Sequence, residues 1–276
     1  MSEIPETEKA RSRLKHIFGW RDDALAGGGL DQCIAHIENN TGNRAGCLRT
    51  LKSYSEVFAM AAWYEDGDLS SFKNWVYARA KLEYILTSPP YNETGGQIAF
   101  EYRAIHGLFA LVSDHYGLID WYSRLDSLFD ARRVDNPKAF DFWTKQFFVA
   151  LRGEWATLIE RCERIIANPP NVSRSKKFLI DHRFYMALAR GDVKGMGAII
   201  EELVSPSLIA RRISLEGGFR ADLICTIAVI YSKLAWRHGY RIVVNSPYIP
   251  RDWLPVAPLS EYIDPFDFMR KYEFGK

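Results

Sequence analysis

The apolar segment between Phe219 and His238 constrains the fold more than any other part of the chain. At about 100° per residue its apolar side chains cover most of a helix circumference. They are Leu223, Ile224, Ile227, Ala228, Val229, Ile230, Tyr231, Leu234, Ala235 and Trp236. A helix of this kind has to be surrounded by other elements. Its apolar stretch, the thirteen residues from Leu223 to Ala235, is interrupted by Lys233 and is shorter than the ~20 apolar residues that cross a bilayer. We therefore predict a core helix and no membrane anchor.

The polar residues of this predicted helix fall on one narrow strip of its surface. They are Asp222, Thr226, Lys233 and Arg237. We expect the strip to be the only side that faces water or polar partners. On this interpretation Ile227→Asp buries an unpaired carboxylate and costs several kcal/mol, whereas Lys233→Glu costs less than about 1 kcal/mol.

An ordered loop is predicted after the core helix. Tyr240–Val244 has the pattern of a short extended segment, and residues 246–255 contain three prolines, which exclude a helix or strand interior. Tyr248 and Trp253 are expected to pack their rings against the helical body.

The same C-terminal region carries a family resemblance. Its residues are Arg237-His238-Gly239-Tyr240, then Asn245-Ser246-Pro247-Tyr248-Ile249-Pro250-Arg251-Asp252-Trp253-Leu254, then Glu261-Tyr262-Ile263-Asp264-Pro265-Phe266-Asp267-Phe268-Met269. In this pattern the chain resembles the immunity protein 49 family of bacterial polymorphic-toxin systems. The resemblance implies an all-helical cytoplasmic protein that neutralises a cognate toxin by binding it. A neighbouring group of two-domain helical nuclease inhibitors fits less well, because its Tyr-Trp-rich signature is absent.

Charge and cysteine usage narrow the class of protein. A formal net charge of +2 gives no basic field of the kind that nucleic-acid binding needs. The four cysteines, Cys33, Cys47, Cys162 and Cys225, stand singly and predict reduced thiols. The N-terminus lacks the basic and apolar regions of a signal peptide. We expect a cytoplasmic protein that needs no cofactor and binds neither nucleic acid nor membrane.

Helical periodicity extends over the first half of the chain. The predicted helices are Thr7–Phe18, Asp31–Ile37, Arg44–Tyr64 and Leu69–Leu86, with a break at Gly27-Gly28-Gly29. Residues 88–96 give the strongest loop signal. We expect one domain over 1–276, with packed halves at 1–88 and 95–276 as the alternative.

Two later segments repeat each other. Gln146–Glu154 aligns with Arg183–Asp192, and the apolar helices Trp155–Ala167 and Val193–Leu203 follow them. In each copy a glycine ends the first helix and an acidic residue begins the second. A weaker third copy lies at Phe109–Asp114. The pattern predicts an all-α fold of antiparallel helix hairpins packed as a short α-solenoid, with an irregular helical bundle as the alternative.

Several side chains of chemically active types have a simpler structural explanation. Cys33, His36 and Cys47 match no recognised zinc spacing, so thiols and a surface histidine are the expectation. For His106, Asp114 and His115 we favour helix-end capping over acid–base work. The chain contains no nucleophile elbow, phosphate-binding loop, dinucleotide fingerprint or His-Glu-x-x-His motif. Binding is therefore favoured over catalysis.

Two acidic turns are the candidate partner-binding site. The predicted site residues are Asp22, Asp23, Glu65, Asp66 and Asp68, with Trp63, Tyr64 and Trp20 as aromatic anchors. The alternatives are solvated turns or a glycosidase-type carboxylate pair, for which no sugar-binding context exists. The expected partner is a cognate toxin. A helical-repeat adaptor for an endogenous protein is the second hypothesis, and an enzyme of an unrecognised all-α class is the third.

Overall fold

The computed structural model describes residues 3–92, 102–127, 130–171 and 176–274. Within these ranges the chain forms thirteen α-helices and no β-strand, which confirms the all-α prediction. The helices are α1 Glu8–Leu25, α2 Gly29–Glu38, α3 Arg44–Tyr64, α4 Leu69–Leu86, α5 Arg103–Ser113, α6 Tyr116–Ser123, α7 Ala131–Val134, α8 Phe140–Arg152, α9 Trp155–Ala167, α10 Leu179–Arg190, α11 Val193–Leu203, α12 Pro206–Arg211 and α13 Thr226–Arg237. Short 3₁₀ turns lie at Leu125–Ser127, Ile213–Leu215, Gly218–Arg220, Arg251–Trp253 and Asp267–Lys271.

The first two helices differ from their predicted bounds. α1 starts after Thr7, whose hydroxyl accepts a hydrogen bond from the Ala10 amide at 3.0 Å, and it continues through Gly19 to Leu25. A single exposed glycine costs a helix only about 1 kcal/mol, less than the packing of the α1 face on α3 supplies. Asp31 lies inside the first turn of α2 and is not its N-cap. Part of the predicted 88–96 loop lies outside the described residues.

Two helix hairpins have the matched ends that the sequence repeat predicts. Gly153 and Gly191 both take left-handed backbone angles, with φ of 71° and 67°, and cap α8 and α10. In both turns the next residue donates its amide back to the first helix, Glu154 to Val149 and Asp192 to Ala187. Only glycine takes this conformation without a steric cost, so the chain reverses at the same place in each copy.

The predicted third copy of the turn uses different residues. Asp114, with φ of 60°, takes the left-handed position after α5. His115 then caps α6, because its Nδ1 accepts the Leu118 amide at 3.1 Å. The capping interpretation of Asp114 and His115 is confirmed, whereas His106 lies within α5 and caps no helix.

The core helix α13 begins at Thr226, seven residues later than predicted from Phe219. Residues 218–220 form a 3₁₀ turn, and Asp222 takes a left-handed φ of 68° that interrupts a helix. The backbone amides at the N-terminal end of α13 donate to acceptors outside the helix. The Cys225 amide donates to the Tyr248 carbonyl, and the Thr226 amide donates to Glu216 at 2.9 Å.

Two residues of the predicted polar strip, Thr226 and Lys233, face buried partners and not water, while Asp222 and Arg237 are partly exposed. Lys233 and Thr226 are fully buried. The Lys233 ammonium lies 2.8 Å from Asp114 and donates to the carbonyls of Trp253 and Pro255 at 2.9 and 2.7 Å. Burial lowers the pKa of Lys233 to about 8, although Asp114 opposes the shift. The expectation that Lys233→Glu is cheap is therefore wrong, because it places a second carboxylate against Asp114.

The C-terminal loop packs on the helical body, as the aromatic pattern predicts. Trp253 is 1% exposed, stacks on Phe72 at 4.1 Å and meets Trp63 edge-on at 5.8 Å. Tyr248 packs against the same hydrophobic core. Along residues 240–244 the side chains alternate between buried and exposed positions without forming a strand.

Asp114 is shared by two buried lysines, because Lys73 also donates to its carboxylate at 2.8 Å. We predict that Asp114→Asn lowers the free energy of unfolding by about 3–5 kcal/mol, since it leaves two buried ammonium groups without a counter-charge. Asparagine tolerates the left-handed backbone and keeps the side-chain shape. Urea denaturation measures the effect, with Glu163→Gln at an exposed ion pair as the control. A loss similar to that of the control would contradict the assignment.

Candidate acidic and aromatic binding face

One side of α1 packs on the core and the next side presents aromatic rings to solvent. Ala10, Leu14 and Ile17 recur at helical spacing and are buried. His16 and Trp20 lie four residues apart on the neighbouring strip, and Trp20 is 38% exposed. Large partly exposed tryptophans are the side chains that most often carry the binding energy of an interface.

Two distant residues complete an aromatic cluster around Trp20. Its ring lies 5.3 Å from Phe219 and 5.8 Å from Tyr54, and His16 stacks on Phe219 at 5.6 Å with an interplanar angle of 20°. These rings hold one another in place, so Trp20 is presented as a rigid group. A rigid aromatic side chain loses little conformational entropy on binding.

Phe219 is held beneath this cluster by the buried Glu56. The Glu56 carboxylate accepts the Phe219 amide at 3.0 Å and pairs with Arg79 and Arg220 at 3.1 and 3.2 Å. Burial raises the pKa of Glu56, but the two guanidinium groups outweigh burial and lower it overall. Gly218 permits this approach, since a Cβ there would lie 2.6 Å from a Glu56 oxygen.

The two predicted acidic turns meet at Arg21. Its guanidinium donates to Asp22 at 2.9 and 3.0 Å and also pairs with Glu65. Asp23 and Asp66 are exposed and form no side-chain hydrogen bond or ion pair with the described residues. Two carboxylates therefore pair with one guanidinium, and the exposed Asp23 and Asp66 of the same two turns add negative charge beside the aromatic cluster. We call His16, Trp20, Tyr54, Phe219 and these acidic residues the acidic–aromatic face.

Three of the predicted site residues have structural roles. Asp68 caps α4 by accepting the amides of Ser70 and Ser71 at 2.9 and 3.0 Å, and the Ser71 hydroxyl and amide lower its pKa. Trp63 and Tyr64 are only 5% and 8% exposed and belong to the core. The expectation that they are surface anchors is therefore wrong in this structure, and Trp20 alone of the three predicted aromatic anchors remains accessible.

A polar groove that the sequence did not indicate adjoins the aromatic cluster. Its volume is about 510 Å³, and its lining residues are Glu8, Lys9, Ser12, Arg13, His16 and Asp222. Arg13 reaches Asp222 at 3.4 Å across 209 positions of sequence. The five α1 residues recur at helical spacing, so the sequence shows that they share one helix face. The contribution of Asp222 could not be predicted, because the apolar pattern assigned this residue to a helix and it lies in a turn.

The other candidate sites have structural partners. Cys33 and Cys47 are free thiols, and burial together with the neighbouring Cys47 raises the pKa of Cys33 to about 11. His36 faces Thr41, at 3.0 Å from its hydroxyl. In the described parts of the chain no three His, Cys, Asp or Glu side chains converge as metal ligands. No described helix has the length and apolarity needed to cross a membrane.

Comparison of the chain with family models, with curated proteins and with solved structures finds no match. The acidic–aromatic face therefore has to be interpreted from its own geometry.

Substitutions of the acidic residues of this face should differ in their effect on the free energy of unfolding. We predict that Asp68→Ala lowers the free energy of unfolding by about 1 kcal/mol through loss of the α4 cap. Asp66→Ala, at an exposed position without a described partner, should change it by less than about 0.5 kcal/mol. Urea denaturation of both variants measures the difference. Equal stability of the two variants would show that Asp68 does not cap α4 in solution.

Proposed function

We propose that this chain is a bacterial immunity protein that binds a cognate toxin in the cytoplasm and neutralises it by occlusion, without a catalytic step of its own. The acidic–aromatic face is the proposed contact surface. The observation that carries the proposal is the rigid, partly exposed Trp20 beside carboxylates gathered around Arg21.

The chemistry of this face fits a partner with a basic active site. Acidic side chains attract such a surface over a distance and align it before contact. A tryptophan held by neighbouring rings then supplies the desolvated contact that charge alone does not provide. The α1 helix is about 27 Å long at 1.5 Å per residue. That length suits an interface burying about 800 Å² on each partner.

The residues that resemble the immunity protein 49 family support the scaffold under this proposal. Trp253 lies in the core and contacts Phe72. Asp264 pairs with Lys81 at 2.7 Å and accepts the Tyr77 hydroxyl at 3.0 Å. These side chains hold helices together, so the resemblance concerns the body of the protein and leaves the contact surface free to differ between partners.

The proposal expects the adjacent reading frame to encode a secreted protein with a toxic C-terminal domain, and that domain is the partner used in the test. Wild-type protein should protect cells that express this domain. Asp23→Lys/Asp66→Lys should slow association about tenfold or more at low salt, because opposite charges become like charges. Association kinetics measured over a range of salt concentrations give this value, and the dependence on salt should weaken in the variant.

The matched control is Glu160→Lys/Glu201→Lys, which makes the same change of charge at exposed positions on α9 and α11. It should bind as the wild type does. If the two double variants had the same association rate constant, the acidic–aromatic face would not be the contact surface. Failure of the wild-type protein to bind or protect would refute the immunity function for this partner.

The second candidate function is a helical-repeat adaptor that binds an endogenous protein or peptide. The matched hairpins α8–α9 and α10–α11 favour it, since repeated helix pairs build extended binding surfaces. The neighbouring gene discriminates between the two functions. An adaptor has no requirement for an adjacent frame that encodes a secreted protein with a toxic C-terminal domain.

A further inference from the structure

A second concave site, unrelated to the acidic–aromatic face, lies where the C-terminal tail crosses α4 and α6. Its volume is about 360 Å³, and three aromatic rings line it. Tyr84 meets Trp121 edge-on at 5.3 Å with an interplanar angle of 77°, and Tyr84 lies 4.9 Å from Phe274 at 44°. The rings therefore form walls at an angle to one another. We call Tyr84, Trp121 and Phe274 the aromatic cage.

Two contacts place the Phe274 wall. The Tyr84 hydroxyl donates to the Glu273 carbonyl at 2.9 Å, which fixes the backbone beside Phe274. Gly117 allows the ring to lie directly on α6, because a Cβ at this position would be 3.2 Å from the Phe274 Cβ. The shape of the site therefore depends on a glycine, Gly117, at the point where Phe274 lies against α6.

The charges around the cage favour a positive ligand. Asp120 lines the site and pairs with Arg124, the residue that follows α6, and both side chains are more than half exposed. Such an exposed pair is worth under about 1 kcal/mol, so an incoming cation can replace Arg124. The nearby Lys81 ammonium does not oppose this, because Asp264 neutralises it at 2.7 Å.

We propose that the aromatic cage with Asp120 binds an organic cation of the quaternary ammonium class. The negative faces of aromatic rings attract a cation that holds its water weakly, and a nearby carboxylate adds a full negative charge. An uncharged apolar ligand of the same shape lacks both contributions. A small metabolite and a trimethylated lysine side chain present the same group.

The cage is distant from the proposed toxin-contact face. Asp68 and Tyr84 lie at opposite ends of α4, sixteen positions apart, which corresponds to about 24 Å along the helix axis. Binding at the cage is therefore independent of the proposed immunity function, and either can fail without the other.

Calorimetric titration of the full chain tests the ligand class with three probes. They are choline, the uncharged carbon isostere of choline, and a short peptide that contains trimethyllysine. Choline should bind about tenfold more tightly than its isostere, because only the cation gains from the ring faces and Asp120. If either quaternary ammonium binds in preference to the isostere, the proposal is supported, and the tighter of the two identifies the source of the cation.

Variants of the chain separate the cage from general effects on folding. Gly117→Ala should weaken choline binding about threefold, because its Cβ would lie 3.2 Å from both the Phe274 Cβ and the His115 Cε1 and would shift these groups, while alanine suits a helix better than glycine by about 1 kcal/mol. Asp120→Asn should weaken binding about threefold, and Arg124→Ala should strengthen it by removing the competing cation. Glu163→Gln, at an exposed ion pair on α9, is the control and should leave binding unchanged.

The proposal is overturned if neither quaternary ammonium binds, or if the uncharged isostere binds as tightly as both of them. It is also overturned if Gly117→Ala and Asp120→Asn both bind choline with wild-type affinity, since binding would then occur outside the cage.

Discussion

The arrangement of this protein depends on one buried carboxylate. Asp114 ends α5 in a left-handed conformation and is fully buried. From that position it pairs with Lys73 of α4 and Lys233 of α13, and it accepts the Ala257 amide at 3.2 Å. A buried carboxylate is costly unless cations and hydrogen-bond donors lie against it. Asp114 therefore fixes two helices and the C-terminal segment at one point.

The C-terminal segment is held at further points along its length. Lys233 also donates to the Trp253 and Pro255 carbonyls, and the Tyr262 hydroxyl donates to the Ser113 carbonyl at 2.6 Å. Proline-rich segments have few backbone bonds of their own, so buried side chains supply the missing partners. The tail then reaches α4 and α6, where it contributes a wall of the aromatic cage.

A second buried network supports the acidic–aromatic face. Glu56 on α3 holds Phe219 and Arg220, and Phe219 is the base on which His16 and Trp20 rest. The position of the aromatic rings thus depends on the buried Glu56 carboxylate and on the 218–220 turn, which is far from α1 in sequence. Its exposed acids do not take part in this network, so substituting them should leave the network intact.

Local patterns predicted the helices well and long-range contacts poorly. The bounds of α3, α4, α9 and α11 follow from apolar spacing and from end signals such as Gly153 and Asp192. The sequence could not show that Lys233 has a buried partner, because Asp114 is 119 residues away. For the same reason Trp63 looked like a surface anchor although it packs against Trp253. The cage was also missed, since its three rings come from three separate segments.

Native-state hydrogen exchange tests most directly whether Asp114 makes the C-terminal segment part of the core. The amides of Ala257 and Met269 have defined acceptors in Asp114 and Phe266. If the segment and α13 form one cooperative unit, these amides should exchange with the same opening free energy as those of α13. Exchange of the Ala257 and Met269 amides by a low-energy local opening, with α13 still protected, would show that the segment is an arm lying on a separately stable body.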